Sequence, residues 1–524
     1  MSVKKIFIVA MLAFHAISAG AQQQWGDWQA WGEQADGTFR NPIIPADYSD
    51  LDCIKVGKDY YAISSTMQYS PGMTILHSRD LVNWEIAGNA VSDVSQMSDQ
   101  LNWDKMNRYG RGVWAGTLRY HKGRFYVFFG TPDEGYFMTS ARKASGPWSP
   151  LACLLREGGW DDCTVHWDDD GRAYFLGTNF SDGYKTYLFD MTPDGKSIVR
   201  QSARLVNEGC GREASKIIKK DGYYYIVFSE YRGHGRYVVA KRDVSMKGNF
   251  SEEKRLTDDN VAEHEPNQGG IIEGPDAEWY FLTHHGNGDW SGRVVSLLPV
   301  EWVDGWPLIG SVAADGLGRM VWQARMPKMK ARKLTIQRSD DFDEKRLGPQ
   351  WQWNYQPRLD KVSLTERKGW LRLYAFCPVE KGRLLKAGNT LTQRAFRNKR
   401  NVVTVKIDVS HMAEGQKAGL CHMAEHSGSV GVVCRDGKLY IEQSCDDCSE
   451  LKYILGNSVV WLRSTWSLDG RSVFSYSIDG VTFCDVMEYG LSWGFYRGDR
   501  IGVYNYNDVS DEGFVDVDFF HYEF

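Results

Sequence analysis

Long apolar helical patterns are scarce in this 524-residue sequence, which argues against a helical protein. An excess of basic residues is also missing: the formal net charge is −5, so no nucleic-acid-binding surface is expected. Beyond the N-terminal segment no apolar run reaches the length of a membrane span, so we expect no membrane insertion. The chain does have 13% aromatic residues and 53 glycines, a mixture typical of an all-β protein with many turns. Its length predicts two or more domains.

The N-terminus has the features of a secretory signal peptide. Lys4 and Lys5 precede the apolar run IFIVAMLAFHAISAG, and Ala19-Gly20-Ala21 forms an A-x-A cleavage site. No cysteine follows this site directly, so no lipid anchor is indicated. The sequence therefore predicts a signal peptide over residues 1–21 and export to the periplasm or the cell exterior.

The ten cysteines are irregularly spaced, so the sequence predicts no disulfide scaffold and leaves room for one or two disulfides. Cys445 and Cys448 form a CxxC motif, but no second CxxC or histidine pair stands at a usable spacing. We interpret this motif as a surface turn rather than half of a zinc site.

Five segments share one pattern, in which a turn of Gly, Asp or Lys residues leads into an aromatic and apolar strand. Their marker aromatics are 65, 49, 50 and 55 residues apart and are Tyr60, Phe125, Tyr174, Tyr224 and Trp279. A repeat of this period with β character predicts a five-bladed β-propeller, over residues 36–320. The alternative is a β-sandwich with coincidental hairpins.

Ten to twelve residues before each marker stands a residue that would begin the first strand of its blade. These five residues are Asp50, Trp114, Asp162, Glu213 and Gln268. Because first strands line the propeller axis, we expect all five to meet at one end of it. The neighbouring aspartates Asp47 and Asp52 are interpreted as turn or solvent residues.

Three convergent carboxyl groups cannot all ionise freely, because like charges and burial raise at least one pKa. A protonated and an ionised carboxyl together form the acid and base that glycoside hydrolysis requires. Calcium binding is the competing use of such a cluster.

Many pieces of the chain, in order, resemble glycoside hydrolase family 43. They include NPIIPADYSDLD, WAGTLRYHKGRFYVFF, GWDDCTVHWDDDGRAYFLGT, REASKIIKKDGYYYIVFSE and GRVVSLLPVEW, and they cover about residues 41–310. The resemblance implies an inverting enzyme with Asp50 as general base, Glu213 as general acid and Asp162 as the residue that tunes the acid. It also implies substrate binding by Trp114 and Arg293.

The chain departs from the family pattern at several positions. Leu51 and Cys163 replace the prolines that usually follow the base and the tuning aspartate, and Asp161 stands directly before Asp162. Asn267-Gln268-Gly269-Gly270 occupies the place where some members carry an axial histidine beside a calcium ion. We therefore expect no required cofactor and no metal ligands, with calcium at most structural.

The resemblance favours an exo-acting α-L-arabinofuranosidase that trims side chains of arabinoxylan or xyloglucan. A β-D-xylosidase acting on xylo-oligosaccharides is the alternative, and a non-catalytic carbohydrate-binding protein is a remote one. Tyr69 is interpreted either as a sugar-stacking residue or as loop packing. The expected partner is an oligosaccharide or polysaccharide, and the sequence indicates no oligomeric state.

The C-terminal region alternates β-forming segments with turns such as SLDGRSVFSYSIDG. This pattern predicts a β-sandwich over residues 341–524, after a linker over residues 321–340. The sequence leaves open whether the sandwich binds carbohydrate or walls the pocket.

Overall fold

A computed structural model describes residues 31–209, 211–231, 235–258, 266–285, 288–328, 333–446 and 448–524. The predicted signal peptide lies outside these residues. Within them, no helix combines the length and apolar character needed to cross a bilayer.

The N-terminal part forms five antiparallel four-stranded sheets, which confirms the five-bladed propeller. Two short strands, β1 (Gly32–Glu33) and β2 (Thr38–Arg40), precede the blades. The first blade contains β3 (Asp52–Val56), β4 (Asp59–Ser64), β5 (Gly72–Ser78) and β6 (Trp84–Val91). The second contains β7 (Gly116–His121), β8 (Arg124–Thr131), β9 (Gly135–Ala141) and β10 (Ala152–Leu155). The third contains β11 (Trp160–Trp167), β12 (Ala173–Asn179), β13 (Lys185–Met191) and β14 (Ile198–Asn207).

The fourth blade contains β15 (Arg212–Lys220), β16 (Tyr223–Tyr231), β17 (Arg236–Asp243) and β18 (Glu252–Arg255). The fifth contains β19 (Pro266–Glu273), β20 (Trp279–His285), β21 (Val295–Val303) and β22 (Trp306–Ile309). Every marker aromatic lies on the second strand of its blade, as the hairpin pattern predicts. The first strands β3, β7, β11, β15 and β19 contact one another in sequence, and β19 contacts β3, so they form a closed ring around the axis.

Residues after the fifth blade return to the start of the propeller. Strands β23 (Ser311–Val312) and β24 (Gly318–Arg319) pair with each other, and β25 (Gln323–Arg325) pairs with β2. The predicted linker thus contains a strand that completes a small sheet. The Asn41 side chain also exchanges two hydrogen bonds with the Leu297 backbone, at 2.8 and 2.9 Å, and ties the chain start to the fifth blade.

The C-terminal part is a sandwich of two seven-stranded antiparallel sheets. Its strands are β26 (Gln352–Trp353), β27 (Val362–Ser363), β28 (Leu371–Tyr374), β29 (Leu391–Arg394), β30 (Asn401–Asp408), β31 (Gln416–Met423), β32 (Ser427–Arg435), β33 (Lys438–Cys445), β34 (Cys448–Ile454), β35 (Val459–Trp466), β36 (Arg471–Ser477), β37 (Cys484–Gly490), β38 (Arg500–Asn507) and β39 (Phe514–Glu523). One sheet has the order β26-β29-β38-β31-β32-β33-β34 and the other β27-β28-β39-β30-β35-β36-β37. Short 3₁₀ helices span Val94–Gln96, Asp99–Leu101, Phe180–Asp182, Leu359–Lys361 and Leu384–Lys386.

The cysteines in the described residues are free thiols. Cys445 and Cys448 face each other on the exposed hairpin of β33 and β34, where the sequence predicts a surface turn.

Propeller and sandwich meet through buried polar contacts. Arg394 donates from Nε to the Asp47 carbonyl at 2.5 Å and stacks on the Tyr48 ring, with Cζ 4.0 Å from its centre. The backbones of Ser70 and Trp353 exchange hydrogen bonds at 3.0 and 2.6 Å. These contacts hold one edge of the sandwich against the end of the propeller where the candidate site lies.

Candidate active site

A cavity of about 220 Å³ opens at the end of the axis where the first strands begin. All five residues predicted to converge there line it: Asp50, Trp114, Asp162, Glu213 and Gln268. The other lining residues are Met67, Ala115, Asp161, Phe180, Tyr184, Arg236, Asn267, Arg293 and Tyr496. The depression at the opposite end of the axis shares no lining residue with this cavity, so the two are separate.

Three of the first strands are irregular where they reach the cavity. Their pairing register shifts between Trp160 and Cys163 in β11, between Glu213 and Lys216 in β15, and between Pro266 and Gly269 in β19. A bulge interrupts the alternation of side chains and re-aims them. This is why the consecutive residues Asp161 and Asp162 both face the cavity.

Asp50 is 6% exposed and its carboxylate is held from two sides. Arg293 approaches both oxygens, with Nη1 at 3.0 Å from Oδ1 and Nη2 at 3.1 Å from Oδ2, and the Ser65 hydroxyl donates to Oδ2. Burial alone would raise the pKa of Asp50, but Arg293, Ser65 and other groups outweigh burial and lower the pKa to about 2. Asp50 is therefore an ionised carboxylate at neutral pH.

The backbone at Asp50 is fixed as well. Its φ of 59° lies in the left-handed region, and its N–H donates to Nδ1 of His284 at 2.6 Å. Burial, reinforced by Arg293, lowers the pKa of His284 well below its ordinary value. A neutral imidazole is the form whose Nδ1 can accept this hydrogen bond. His284 thus orients the loop, a role that the sequence did not indicate.

One carboxyl oxygen from each of Asp161, Asp162 and Glu213 lies within 4.8 Å of the other two. Asp162 is fixed by the Ala214 N–H, at 2.5 Å, and by Nε2 of Gln268, at 3.2 Å. Burial and the nearby Glu213 carboxylate raise the pKa of Asp162 to about 7. Burial and the charge of Asp162 also raise the pKa of Asp161 well above its usual range. The cluster therefore keeps a proton near neutral pH.

Cation binding is the other use of such a cluster, and it depends on which carboxyl oxygens the protein itself already engages. Both Asp162 oxygens accept hydrogen bonds from the protein, and Oε1 of Glu213 forms an ion pair with Arg236 at 2.5 Å. The amide of Gln268 donates to Asp162. Protein donors thus engage Asp162 and one oxygen of Glu213 but leave Asp161 to the cluster, and no step of the proposed reaction uses a cation.

The interpretation of Asp47 and Asp52 as turn or solvent residues is wrong. Asp47 is 2% exposed and forms an ion pair with Arg497 of the sandwich, with Oδ2 2.8 Å from Nε. Asp52 is equally buried and accepts from Arg119 at 2.6 Å and from the Thr117 hydroxyl at 2.5 Å. Burial makes pairing obligatory for both carboxylates.

The two predicted substrate-binding residues both reach the cavity. Trp114 donates from Nε1 to the Gly110 carbonyl at 3.0 Å, and its ring lies 6.2 Å from that of Phe180. Arg293 lines the cavity while pairing with Asp50. Tyr69 is 2% exposed, does not line the cavity and packs under Arg500, with Cζ 3.6 Å from its ring centre. Loop packing is therefore the correct interpretation of Tyr69.

Sequence reasoning missed several lining residues. Tyr184 directly precedes β13 and Arg236 begins β17, both without a distinguishing motif, and Tyr496 belongs to the sandwich. Tyr496 lies over Arg293, with its ring centre 5.8 Å from Cζ. For Asp161 the visible sequence signal was the pair of aspartates at 161–162. Strict alternation of strand side chains would point one of the two away from the cavity.

Comparisons with known proteins agree with this architecture. Residues 39–307 match the family described as glycosyl hydrolases family 43, and residues 339–523 match the beta xylosidase C-terminal concanavalin A-like domain. A beta-xylosidase of Formosa agariphila is 33% identical over 94% of this chain and 92% of its own length. A non-reducing end alpha-L-arabinofuranosidase of Bacteroides ovatus is 31% identical over 66% of this chain and 67% of its own.

Two solved structures have the same fold. A bifunctional GH43-CE protein of Bacteroides eggerthii is 29% identical, with a TM-score of 0.81 over 92% of this chain; the chain spans 63% of that protein. A GH43 protein of Bacillus licheniformis is 26% identical, with a TM-score of 0.79 over 93% of this chain and 99% of its own. The chain therefore belongs to glycosyl hydrolase family 43 and is a glycoside hydrolase.

Proposed function

We propose that this enzyme is an inverting, exo-acting β-D-xylosidase that releases single xylose units from xylo-oligosaccharides. The observation that carries the proposal is the cavity of about 220 Å³, which holds the ionised Asp50 in the same small space as the carboxyl cluster of Asp161, Asp162 and Glu213. A pocket of this size has room for the end of a sugar chain rather than for its interior, which supports exo action. The beta-xylosidase relative that matches 94% of the chain supports xylose as the released sugar.

In the proposed reaction, Asp50 takes a proton from a water molecule as the water oxygen bonds to the anomeric carbon. Glu213 gives its proton to the glycosidic oxygen as the bond from that oxygen to the anomeric carbon breaks. The products are a sugar of inverted configuration and an alcohol, and solvent restores both protonation states. The low pKa of Asp50 suits the ionised base that this step requires.

Asp162 is assigned the tuning role rather than Asp161. The Ala214 N–H and the Gln268 amide hold its carboxyl from two other blades, whereas Asp161 is held by the backbone N–H of its neighbour Asp162. A fixed, crowded carboxyl beside Glu213 disfavours full ionisation of the cluster and so keeps a proton available for the leaving group. Trp114 is assigned to pack beside the sugar ring, and Arg293 to contact a sugar hydroxyl as well as Asp50.

An α-L-arabinofuranosidase acting on arabinoxylan or xyloglucan side chains is the second candidate. The arabinofuranosidase relative of Bacteroides ovatus supports it, although that match covers only 66% of the chain. A p-nitrophenyl xylopyranoside assayed beside the arabinofuranoside separates the two, and a kcat/KM at least tenfold higher for the arabinofuranoside would reverse our order. Glycan binding with no sugar released from either would instead support a non-catalytic protein.

The stereochemistry is tested by proton NMR during the first turnovers. Inversion predicts that the first sugar signal belongs to the anomer opposite to that of the substrate. A first product with the retained configuration contradicts the proposed mechanism. We further propose that the enzyme acts after export, in the periplasm or outside the cell, on the strength of residues 1–21.

A further inference from the structure

A tight turn of the sandwich reaches into the cavity mouth. Gly494 and Arg497 exchange two backbone hydrogen bonds at 3.0 Å, which leaves Phe495 and Tyr496 as the two central residues. Both have positive φ, 47° and 62°. Such turns normally use Asn-Gly, because bulky side chains at positive φ are strained. Strain of this kind concentrates at functional sites.

The residue that ends this turn, Arg497, is buried in the propeller. Its side chain is 3% exposed. Nε lies 2.8 Å from Oδ2 of Asp47, and Nη1 donates to the Ser65 carbonyl at 2.9 Å. Both partners flank the loop that carries Asp50.

These contacts form a closed ring of hydrogen bonds and ion pairs that includes both Arg497 and Asp50. On one side, Ser65 accepts from Arg497 through its carbonyl and donates to the Asp50 carboxylate through its hydroxyl. On the other side, Oδ1 of Asp47 accepts a hydrogen bond from the backbone N–H of Arg293 at 3.2 Å. The guanidinium of Arg293 in turn forms an ion pair with Asp50. Arg497 is therefore linked to Asp50 by two routes. One passes through Ser65, and the other passes through Asp47 and Arg293.

Backbone packing fixes the turn against this ring. A Cβ on Gly498 would lie 2.3 Å from the Gly292 nitrogen, and a Cβ on Gly292 would lie 2.2 Å from Cβ of Asp47. The sandwich backbone thus abuts the residue before Arg293 with room only for hydrogen atoms. A shift of the turn would be passed directly to Asp47 and Arg293.

We propose that Arg497 is a positioning residue for Asp50, so that the sandwich domain completes the geometry of the general base. The proposal rests on the proposed role of Asp50. Because an attacking water must be held within a narrow range of position, a misplaced base slows the reaction without weakening sugar binding.

The test compares Arg497→Met and Arg497→Lys with a matched control, Arg500→Met. Arg500 is another buried arginine of the same domain. It stacks on the aromatic ring of Tyr69 and does not belong to the contacts that link Arg497 to Asp50. We expect Arg497→Met to lower kcat by about tenfold to a hundredfold with KM changed less than about twofold. Loss should be equal for xylobiose and for an activated nitrophenyl xyloside, since base function does not depend on the leaving group. Arg497→Lys should recover part of the rate, and Arg500→Met should lower Tm with a smaller loss of kcat.

A kcat for Arg497→Met within twofold of the wild type would overturn the proposal, as would a loss confined to xylobiose. Equal losses of kcat in Arg497→Met and Arg500→Met would reduce Arg497 to a structural role. If Asp50→Asn retains activity, the proposed function itself fails. If Asp50→Asn is inactive while Arg497→Met keeps the wild-type kcat, only the positioning role fails.

A double-mutant cycle covers the case in which Arg497→Met does not fold. Arg497→Lys and Ser65→Ala both leave the domain interface in place, and Ser65→Ala removes the hydroxyl that links Arg497 to Asp50. Their combined effect on kcat should be clearly smaller than the product of the single effects, because both act on one route. Multiplicative effects would contradict coupling through Ser65.

Discussion

The two ends of the propeller axis are built from the same first strands, yet among the described residues the cluster of three carboxyl groups lies at one end alone. At the active end the strands β11, β15 and β19 begin with register shifts. Toward the other end their pairing is regular, and the depression there, of about 370 Å³, is lined largely by isoleucines and lysines. Its carboxylates are Glu273 and Asp52, the latter neutralised by Arg119. The active end thus differs from the other end in its backbone irregularities, which bring several carboxyl side chains into one cavity.

The largest effect is expected for Glu213→Gln. Loss of the proton donor should lower kcat on xylobiose by about 10²- to 10⁴-fold. The loss should be smaller for a nitrophenyl xyloside, whose leaving group needs less protonation. The matched control is Glu273→Gln at the opposite end, which should leave kcat unchanged; equal losses in both variants would remove the distinction between the two ends.

Asp162→Asn should lower activity less, by about tenfold. This is the factor that corresponds to a change of one unit in the pKa of a proton donor. It should also alter the pH dependence of stability. The pKa of Asp162 is raised from 3.8 to about 7 by folding, so the folded protein holds this proton more tightly than the unfolded chain. Wild-type stability should therefore fall as pH rises from about 4 to about 7, and Asp162→Asn should remove that part of the decline. Thermal melts across this range check the sign, and a steeper decline in the variant contradicts it.

A still smaller effect is expected for Asp161→Asn. The pKa of Asp161 is raised well above its usual range, so the amide replaces a neutral carboxyl of similar shape. We expect kcat/KM to fall less than about fivefold, under about 1 kcal/mol of transition-state stabilisation. Kinetics on the xyloside and the arabinofuranoside measure this directly. A loss as large as that of Asp162→Asn would move the tuning role to Asp161.

Lys219→Gln, at the opposite end, should have the smallest effect. Lys219 forms ion pairs at 2.7 Å with Asp168 and with the exposed Asp169, and ion pairs at the protein surface contribute little to stability. Activity should change less than twofold. A larger change in kcat/KM would show that the opposite end is coupled to the active end.

The sequence by itself determined the repeating hairpins, because turn residues and strand-forming aromatics act over a few neighbours. The same spacing located Asp50, Trp114, Asp162, Glu213 and Gln268, since equivalent positions of a repeat must superpose. Alternation could not show that Asp161 also faces inward, because a bulge depends on the partner strand.

Only the tertiary structure decided which distant groups surround the base. His284 is 234 residues from Asp50, and Arg497 is 432 residues from Ser65, yet each contacts its partner directly. Asp47 has the local pattern of a loop aspartate but is buried by the second domain. Burial and ion pairing are properties of the packed molecule, so the residues that hold Asp50 in place emerge only when propeller and sandwich come together.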